Sequence, residues 1–406
     1  MPPSERLYYA DSFLKSFPGV VSDVRELSSK EGESVWQIAL DRTAFYPTSG
    51  GQPCDAGLLR AVSRGGAFLD IPVESVEEDE NGQLWHFVRK PLAAGTSVEG
   101  HIDWQRRFDH MQQHTGQHLL SAVLDELFGF PTLSFHMGED VSSIEIGVKE
   151  LADKQVDEAE ARVNDLARGG PAVHISFQDA EQVAGLRKQS ERQGLLRIIE
   201  IEGIDKSACG GTHVRSLEET LPLQIRRLDK VRGNVRLEFV CGGRATKRAK
   251  QDYCILQELA RQSATPMDRL PEVFATIKQR LSDAEKDLER MARDLAQRQG
   301  RELYAQTQAR GDGIRRVLWN VEQIDETVRA KALAFTGGAQ SIVLAVGKQP
   351  AGVLIACSSD AGINAGAILK QTLAEFGGKG GGAATLAQGN LPDPNCALAL
   401  AAKLGL

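Results

Sequence analysis

At 406 residues with 41% hydrophobic content, the chain is long enough for two to four domains with ample core. The formal net charge of −7 argues mildly against nucleic acid as a partner of the whole surface, although local basic clusters override such a balance. No apolar run approaches the roughly 20 residues of a membrane span and Met1-Pro2-Pro3-Ser4-Glu5-Arg6 carries no apolar signal region, so membrane and secretory classes are set aside and a cytoplasmic protein is expected.

The six cysteines (Cys54, Cys209, Cys241, Cys254, Cys357 and Cys396) are scattered without a disulfide framework, which fits thiols in a reducing compartment. Residues 1 to about 100 read as β structure. Val20-Val21, Trp36–Leu40, Gly57–Val62 and Leu84–Val88 are short strands separated by turn residues, which suits a small barrel or sandwich. Within them lies Ala44-Phe45-Tyr46-Pro47-Thr48-Ser49-Gly50-Gly51-Gln52-Pro53-Cys54-Asp55. Aromatics followed by a Pro-Thr-Ser-Gly-Gly turn predict a rigid loop with accessible backbone amides. It reads either as a plain hairpin loop or as a loop closing over a ligand's polar end, with Thr48 and Gln52 offering hydrogen bonds.

Residues 101 to about 245 form a mixed α/β segment. A helix is predicted from about Trp104 through Leu127, with Leu119, Leu120, Val123 and Leu127 marking a buried face. It carries His110, His114 and His118. Positions four apart share one helix face, so two such imidazoles converge on one ion. Spacing leaves open which pair does so. His110 and His118 sit two turns, about 12 Å, apart, so one end histidine must do something else. Alternation over Thr132–Gly138 puts Thr132, Ser134 and His136 on one strand face and Leu133, Phe135 and Met137 on the other. That polar face lines a pocket or is a solvated sheet face. Ser142–Ile146, Val173–Phe177 and Leu195–Ile201 read as strands, and residues 153–168 as a charged amphipathic helix.

A second pair of metal-competent side chains follows in Cys209-Gly210-Gly211-Thr212-His213. The paired glycines predict a tight turn that brings thiolate and imidazole together. With two helical histidines this makes a three-His, one-Cys tetrahedral set, which suits zinc. Of the eight histidines in the chain, four fall in these two stretches, which raises the weight of the pattern. Between 226 and 250 nine basic residues face only Asp229 and Glu238. Such a run is a solvated charged face or a phosphate-backbone footprint, and the contrast with the acidic remainder favours the footprint.

From about 245 to 311 the chain reads as helix, broken near Pro266 and Pro271. Ile277, Leu281, Ala284, Leu288, Met291 and Leu295 form a heptad seam, short for an autonomous coiled coil but suited to a helical hairpin or a homodimer contact. From about 313 the composition turns small and apolar. Arg315–Trp319, Ser341–Val346 and Gly352–Cys357 read as strands and Ile363–Phe376 as a helix, which makes a separate small α/β domain. It carries a glycine-rich run, Gly377–Gly389. The run follows a helix and lacks the GK[ST] ending of a phosphate-binding loop. Its amides and Lys379 can still hold a phosphate, or it is a helix-terminating turn.

Three ordered motifs carry a family likeness. Phe45–Gln52, His114-Thr115-Gly116-Gln117-His118 and Cys209–His213 resemble the editing domain of alanyl-tRNA synthetases. They resemble more closely the free-standing alanyl-tRNA editing proteins, AlaX, and the run from Asp109 to Leu120 is similar to the long form. Gly377–Gly389 resembles the glycine-rich motif of the DHHA1 domain that the long form carries at its end. The likeness runs from near the first residue to the last.

The resemblance implies an α+β multidomain chain. Residues 1–100 would be the N-terminal small β-barrel with its glycine-rich loop, and 101–245 an α/β editing core with a zinc site. Residues 246–312 would be a helical or coiled-coil linker and 313–406 a DHHA1-like domain. It implies Zn2+ held by His114, His118, Cys209 and His213, with His110 outside the quartet. The implied activity is trans-acting hydrolysis of the ester joining serine or glycine to tRNA(Ala), since no class II synthetase catalytic domain precedes the barrel. Gln52 and the Gly50-Gly51 amides would hold the terminal adenosine or the ester carbonyl. Thr132 and Ser134, with Thr48 as another candidate, would read the serine hydroxyl, and His136 would line the pocket. Arg244, Lys247, Lys250, Lys379, Gly380 and Gly381 would contact tRNA. A rival phosphoesterase of the DHH type needs clustered aspartates with adjacent histidines for two metals, which are missing. The other rival is a non-catalytic tRNA-binding module with a structural zinc.

Overall fold

The computed structural model describes residues 3–27, 35–62, 66–189 and 193–406. Among them are seven α-helices and several sheets, an α+β multidomain architecture. The chain divides into two compact units, Met1–Glu258 and Leu259–Leu406. No described helix is long and apolar enough to cross a membrane.

The first unit opens with seven antiparallel strands: β1 (Ser16–Leu27), β2 (Val35–Leu40), β3 (Gly57–Val62), β4 (Phe68–Val73), β5 (Ser75–Glu78), β6 (Leu84–Val88) and β7 (Ser97–Ile102). Their order is β4-β3-β7-β1-β2-β6-β5. The first part of β1 pairs with β7 and the rest with β2, with a bulge between Val21 and Asp23. A bulge bends a strand and raises its twist, so one long strand serves both halves of the sheet. Alternate residues such as Leu59 and Ala61, or Ile71 and Val73, turn inward onto a core shared by all seven strands. No ladder joins β4 to β5 among the described residues, so the strands form a sheet wrapped on its core rather than a barrel closed by hydrogen bonds.

Helix α1 (Trp104–Phe128) follows directly. Asp103 caps it, accepting from Arg106 N at 3.1 Å, and Gly129 ends it in the left-handed conformation. Sequence periodicity predicts one buried face. Instead α1 is buried on all sides from His110 to Leu124. Its polar residues are met by other elements all around: Arg107 by Asp55 and Ser12, Gln112 by Glu219, Gln113 by Cys241. A helix that apolar spacing describes as surface-lying is therefore the axis of the unit.

Next come β8 (Thr132–Met137), β9 (Ser142–Ile146), α2 (Asp153–Arg168), β10 (Val173–Asp179), β11 (Leu195–Ile201), β12 (Asp205–Ala208), β13 (Leu223–Val231), β14 (Asn234–Cys241) and α3 (Gly242–Gln262). Two antiparallel sheets result, β8-β9-β14-β13 and β10-β11-β12. Leu119, Leu120 and Val123 of α1 share a core with Val163 of α2 and Ile144, Leu237 and Phe239 of the larger sheet.

The alternation read for β8 fails at one point. Thr132 pairs with Ile146 but Ser134 with Glu145, a register shift at Leu133. Cross-strand partners share a face, so the bulge turns Thr132 to the side of Phe135 and Met137. Ser134 and His136 lie on the opposite, exposed side. Thr132, Ser134 and His136 therefore do not line one face.

In the second unit α4 (Leu270–Gln306) precedes a five-stranded sheet. Its strands are β15 (Arg315–Val321), β16 (Ser341–Lys348), β17 (Ala351–Cys357), β18 (Gly380–Gly382) and β19 (Leu386–Asn390), in the order β15-β16-β17-β19-β18. Helix α5 (Glu326–Thr336) makes the crossover between the parallel pair β15 and β16. Helices α6 (Ala365–Glu375) and α7 (Pro394–Lys403) complete it, and Leu369 and Leu400 pack on Ile342, Leu344 and Ile355.

Pro271 stands in the first turn of α4, where its missing N–H costs nothing, so it starts the helix. The seam residues Ile277, Leu281, Leu288, Met291 and Leu295 are between 53% and 69% exposed, so packing inside the unit does not consume them. The glycine-rich run is a hairpin of β18 on β19, and the Lys379 amide donates to Asn390 Oδ1 at 2.6 Å. It is a sheet edge in part, not a loop of free amides.

Candidate metal centre

Helix α1 brings His114 and His118 to one face, their ring centroids 5.3 Å apart. The segment after β12 returns His213 to 4.4 Å from the first ring and 4.8 Å from the second. One ligand atom from each of His114, His118, Cys209 and His213 lies within 4.8 Å of all the others. Cys209 Sγ is 3.5 Å from His114 Nε2 and 3.4 Å from His213 Nε2. A tetrahedral ion with bonds of about 2.0–2.1 Å to nitrogen and 2.3 Å to sulfur separates its ligands by roughly 3.6 Å. The two spacings are those of neighbours on one such ion.

The outer nitrogen of each ring is already held. His114 Nδ1 is 2.8 Å from Gln52 Oε1, His118 Nδ1 3.1 Å from Asp205 Oδ2, and His213 Nδ1 3.1 Å from Thr115 Oγ1. An acceptor at Nδ1 fixes the tautomer and turns Nε2 inward as a lone-pair donor. Asp205 is in turn bound by Arg187 Nε at 2.7 Å and Ser207 Oγ at 2.9 Å. Burial opposes charge on His118, yet the Asp205 carboxylate and the Cys209 thiolate raise it to about 9, so this ring carries a proton that a bound ion would displace, while burial takes His213 down to about 3. Burial also opposes a Cys209 thiolate, but the neighbouring imidazoles hold its pKa well below the usual thiol value. A thiolate is the form a metal ligand requires.

Gly211 is needed for room. A Cβ there would stand 2.2 Å from His114 Cε1. The segment brings the Cys209 thiol and the His213 ring together, as expected from the glycine pair, but Gly210 and Gly211 do so without positive φ. Arg197 shapes it instead, donating through Nη1 to the Cys209 and Gly211 carbonyls at 2.7 and 2.8 Å.

The Thr48–Gln52 loop turns on Gly50 and Gly51, at φ of 56° and 83°, with Ser49 and Gln52 exchanging both backbone hydrogen bonds at 3.1 and 2.9 Å. This is a two-residue type I′ hairpin turn. The Gly51 carbonyl accepts from Met137 N at 2.9 Å, which docks the turn on β8. Thr48 is exposed and its Oγ1 accepts from Cys54 N at 3.2 Å. Gln52, expected at the substrate, is fully buried, with Oε1 on His114 Nδ1 and Thr212 N and Nε2 donating to Thr212 Oγ1 at 2.8 Å. Its side chain orients the His114 ring.

Thr132 Oγ1 donates to Ser121 Oγ at 2.7 Å, and the same oxygen accepts from Gln117 Nε2 at 2.8 Å. Phe135, which the sequence reading assigned to the far face, stacks on His114 with centroids 5.4 Å apart. Arg244 is committed: it pairs with Asp109 at 2.7 Å and donates to the Gly138 carbonyl at 2.7 Å. Lys247 and Lys250 are exposed, the latter 5.0 Å above the Tyr253 ring. The basic stretch is weaker than its count suggests. Asp252, Glu150 and Asp109, all outside the 226–250 window, neutralise Arg226, Arg248, Lys230 and Arg244. Sequence reasoning missed Asp205, Thr115, Phe135 and Arg197. Only Asp205 had a local signal, a carboxylate four residues before a candidate ligand, the usual partner of a metal-bound histidine.

The sequence profile of the tRNA synthetases class II (A) family matches residues 2–106, and that of the DHHA1 domain matches residues 273–404. The chain is 32% identical to the alanyl-tRNA editing protein AlaX-L of Pyrococcus horikoshii over 400 residues, 95% of this chain and 94% of that protein. It is 34% identical to the alanyl-tRNA editing protein Aarsd1 of Bos taurus over 263 residues, 61% of this chain and 57% of the relative. To the alanine–tRNA ligase of Pyrococcus abyssi it is 30% identical over 414 residues, 97% of this chain and 42% of the ligase.

Proposed function

The chain belongs to the alanyl-tRNA editing protein family, and from that membership we propose that it is a trans-acting, cytoplasmic aminoacyl-tRNA hydrolase that cleaves the ester of Ser-tRNA(Ala) and Gly-tRNA(Ala), with zinc at His114, His118, Cys209 and His213. The observation that carries the metal assignment is the outer shell: three rings with Nδ1 occupied and Nε2 turned toward one thiolate. The donor set fits zinc, which takes imidazole and thiolate in a tetrahedron. Such an ion would supply Lewis-acid charge beside the ester.

The remaining work falls to the chain's own groups. Gln52, Asp205 and Thr115 hold the ligand rings. The Gly50-Gly51 turn, docked on β8, closes one wall against the terminal adenosine. Thr132 gives its proton to Ser121 and keeps acceptor capacity for a serine hydroxyl. A site that hydrogen-bonds a hydroxyl discriminates by roughly 10⁴ or more against an analogue that lacks it, which spares alanine. Ser134, His136 and Thr48, all exposed, face the outer part of the acceptor end.

Lys247 and Lys250 of the first unit contact tRNA, with Arg244 anchoring the start of α3, and Lys379, Gly380 and Gly381 of the second unit make a contact of their own. Replacing both Lys247 and Lys250 by alanine is expected to weaken binding of every tRNA sequence alike. The slope of log K against log salt should fall by about 2. A slope equal to the wild type's takes this patch out of the interface. The exposed seam of α4 supports a homodimer, and six free cysteines support a reducing compartment.

Four protein ligands also close a tetrahedron, as structural zinc sites do. This favours a second reading, a tRNA-binding module whose metal is only scaffold. Hydrolysis of Ser-tRNA(Ala) beside Ala-tRNA(Ala), with zinc content measured, decides between them.

A further inference from the structure

Arg197, on β11, is 7% exposed and carries a charge that meets no carboxylate among the described residues. Its hydrogen bonds run to backbone carbonyls: Nε to Tyr9 at 3.0 Å, and Nη1 to Cys209 at 2.7 Å and Gly211 at 2.8 Å. Nη2 is buried without a partner, and the Tyr9 ring faces the guanidinium at 5.4 Å. Desolvating a cation is costly, so a guanidinium kept in the interior without a carboxylate calls for a role beyond packing. Burial opposes the charge, and the Cys209 thiolate is the neighbour that offsets this most.

Two of the carbonyls it binds belong to the segment that carries the metal ligands. Cys209 N donates back to the Arg197 carbonyl at 3.0 Å, so both polar groups of the Cys209 backbone are tied to one residue. Gly211 N donates to Cys209 Sγ at 3.4 Å. The Gly211 carbonyl and Thr212 N form one peptide group, and Thr212 N donates to Gln52 Oε1 at 3.2 Å. The same oxygen lies 2.8 Å from His114 Nδ1. A peptide group is planar, so fixing its carbonyl aims its N–H. A cation on that carbonyl also makes the N–H a stronger donor. Contacts therefore run from Arg197 to Cys209 directly, and to His114 through the Gly211–Thr212 peptide and Gln52. His118 and His213 are held separately, by Asp205 and Thr115.

We propose that Arg197 is a positioning residue of the metal centre, and that its bridge between the Cys209 and Gly211 carbonyls sets the directions of two of the four ligands, Cys209 and His114. The inference rests on the reading of the quartet as a metal site. It adds the group that couples a thiolate and an imidazole 95 residues apart.

The test titrates Co2+ alone into the metal-free full chain, with affinity read by competition with a chelator. Cobalt takes the same imidazole and thiolate donors as zinc and reports a bound thiolate by a charge-transfer band. Arg197→Met should bind cobalt about 10–100-fold more weakly, the range for loss of an outer-shell partner, with the thiolate band shifted or weakened. Arg197→Lys keeps the charge without the planar fork and should recover at most part of the loss. It carries the test if Arg197→Met does not fold. Adding Gln52→Met to the Arg197 variant should cost less than the product of the two single losses, because both act on His114. Losses that multiply in full, a weaker site with an unchanged band, or full recovery by lysine overturn the proposal. A wild type that takes up no cobalt sinks the metal reading and the proposal together. A wild type with the thiolate band, and variants that match it in band and affinity, sink the proposal alone.

Discussion

His114→Ala is expected to lose both stoichiometric zinc and hydrolysis of Ser-tRNA(Ala). The variant removes one of four converging side chains and leaves Gln52 Oε1 with Thr212 N, at 3.2 Å, in place of the His114 Nδ1 it had at 2.8 Å. Removing only an outer-shell partner of a metal-bound histidine costs about 10–100-fold in metal affinity or activity. Asp205→Asn should fall in that range, because His118 stays in place but loses its carboxylate. His114→Ala should exceed it. Metal content in a zinc buffer, with deacylation measured on the same samples, checks both variants. Metal-dependent hydrolysis that survives His114→Ala would sink the quartet.

The second large effect concerns stability. Arg107 and Asp55 are both fully buried, paired through Arg107 Nε at 3.0 Å, with Arg107 Nη1 donating to the Ser12 carbonyl at 2.9 Å. Asp55 also accepts from Tyr46 N at 2.6 Å, so the pair clamps both ends of the loop that carries Gln52. Arg107→Ala leaves a buried carboxylate without its counter-charge and should destabilise the first unit by about 3–5 kcal/mol. The double variant Arg107→Met with Asp55→Leu should recover much of that loss, since the cost lies in the unpaired charge. Chemical denaturation checks it. A loss below about 1 kcal/mol for the single variant would show that water reaches the site.

Local spacing was the readable part of this site. A helix places residues four apart on one face, so a converging pair that includes His114 followed from the sequence, as did Cys209 with His213, while His118 as the second member came only from the family likeness. Spacing could not choose between His110 and His118, because the helix presents both alike. What separates them is Asp205, 87 residues from His118, which no periodicity connects. Gln52 was read as a substrate contact because it ends a glycine turn. Its amide is consumed by His114 and by Thr212, 160 residues away. Thr132 and Ser134 were placed together because alternation assumes an unbroken ladder, and a one-residue bulge at Leu133 reverses the faces. The strands and helices themselves were legible to within a few residues wherever apolar periodicity was regular, as at α2 and β11.

The metal centre is expected to serve ester hydrolysis, with serine discriminated from alanine. The most direct measurement is deacylation of Ser-tRNA(Ala) and Ala-tRNA(Ala) by zinc-loaded protein under single-turnover conditions. Rapid loss of serine, with alanine spared by a factor on the order of 10⁴, is the expected result. Stoichiometric zinc with neither ester cleaved would contradict it and leave Cys209 and the three histidines as scaffold.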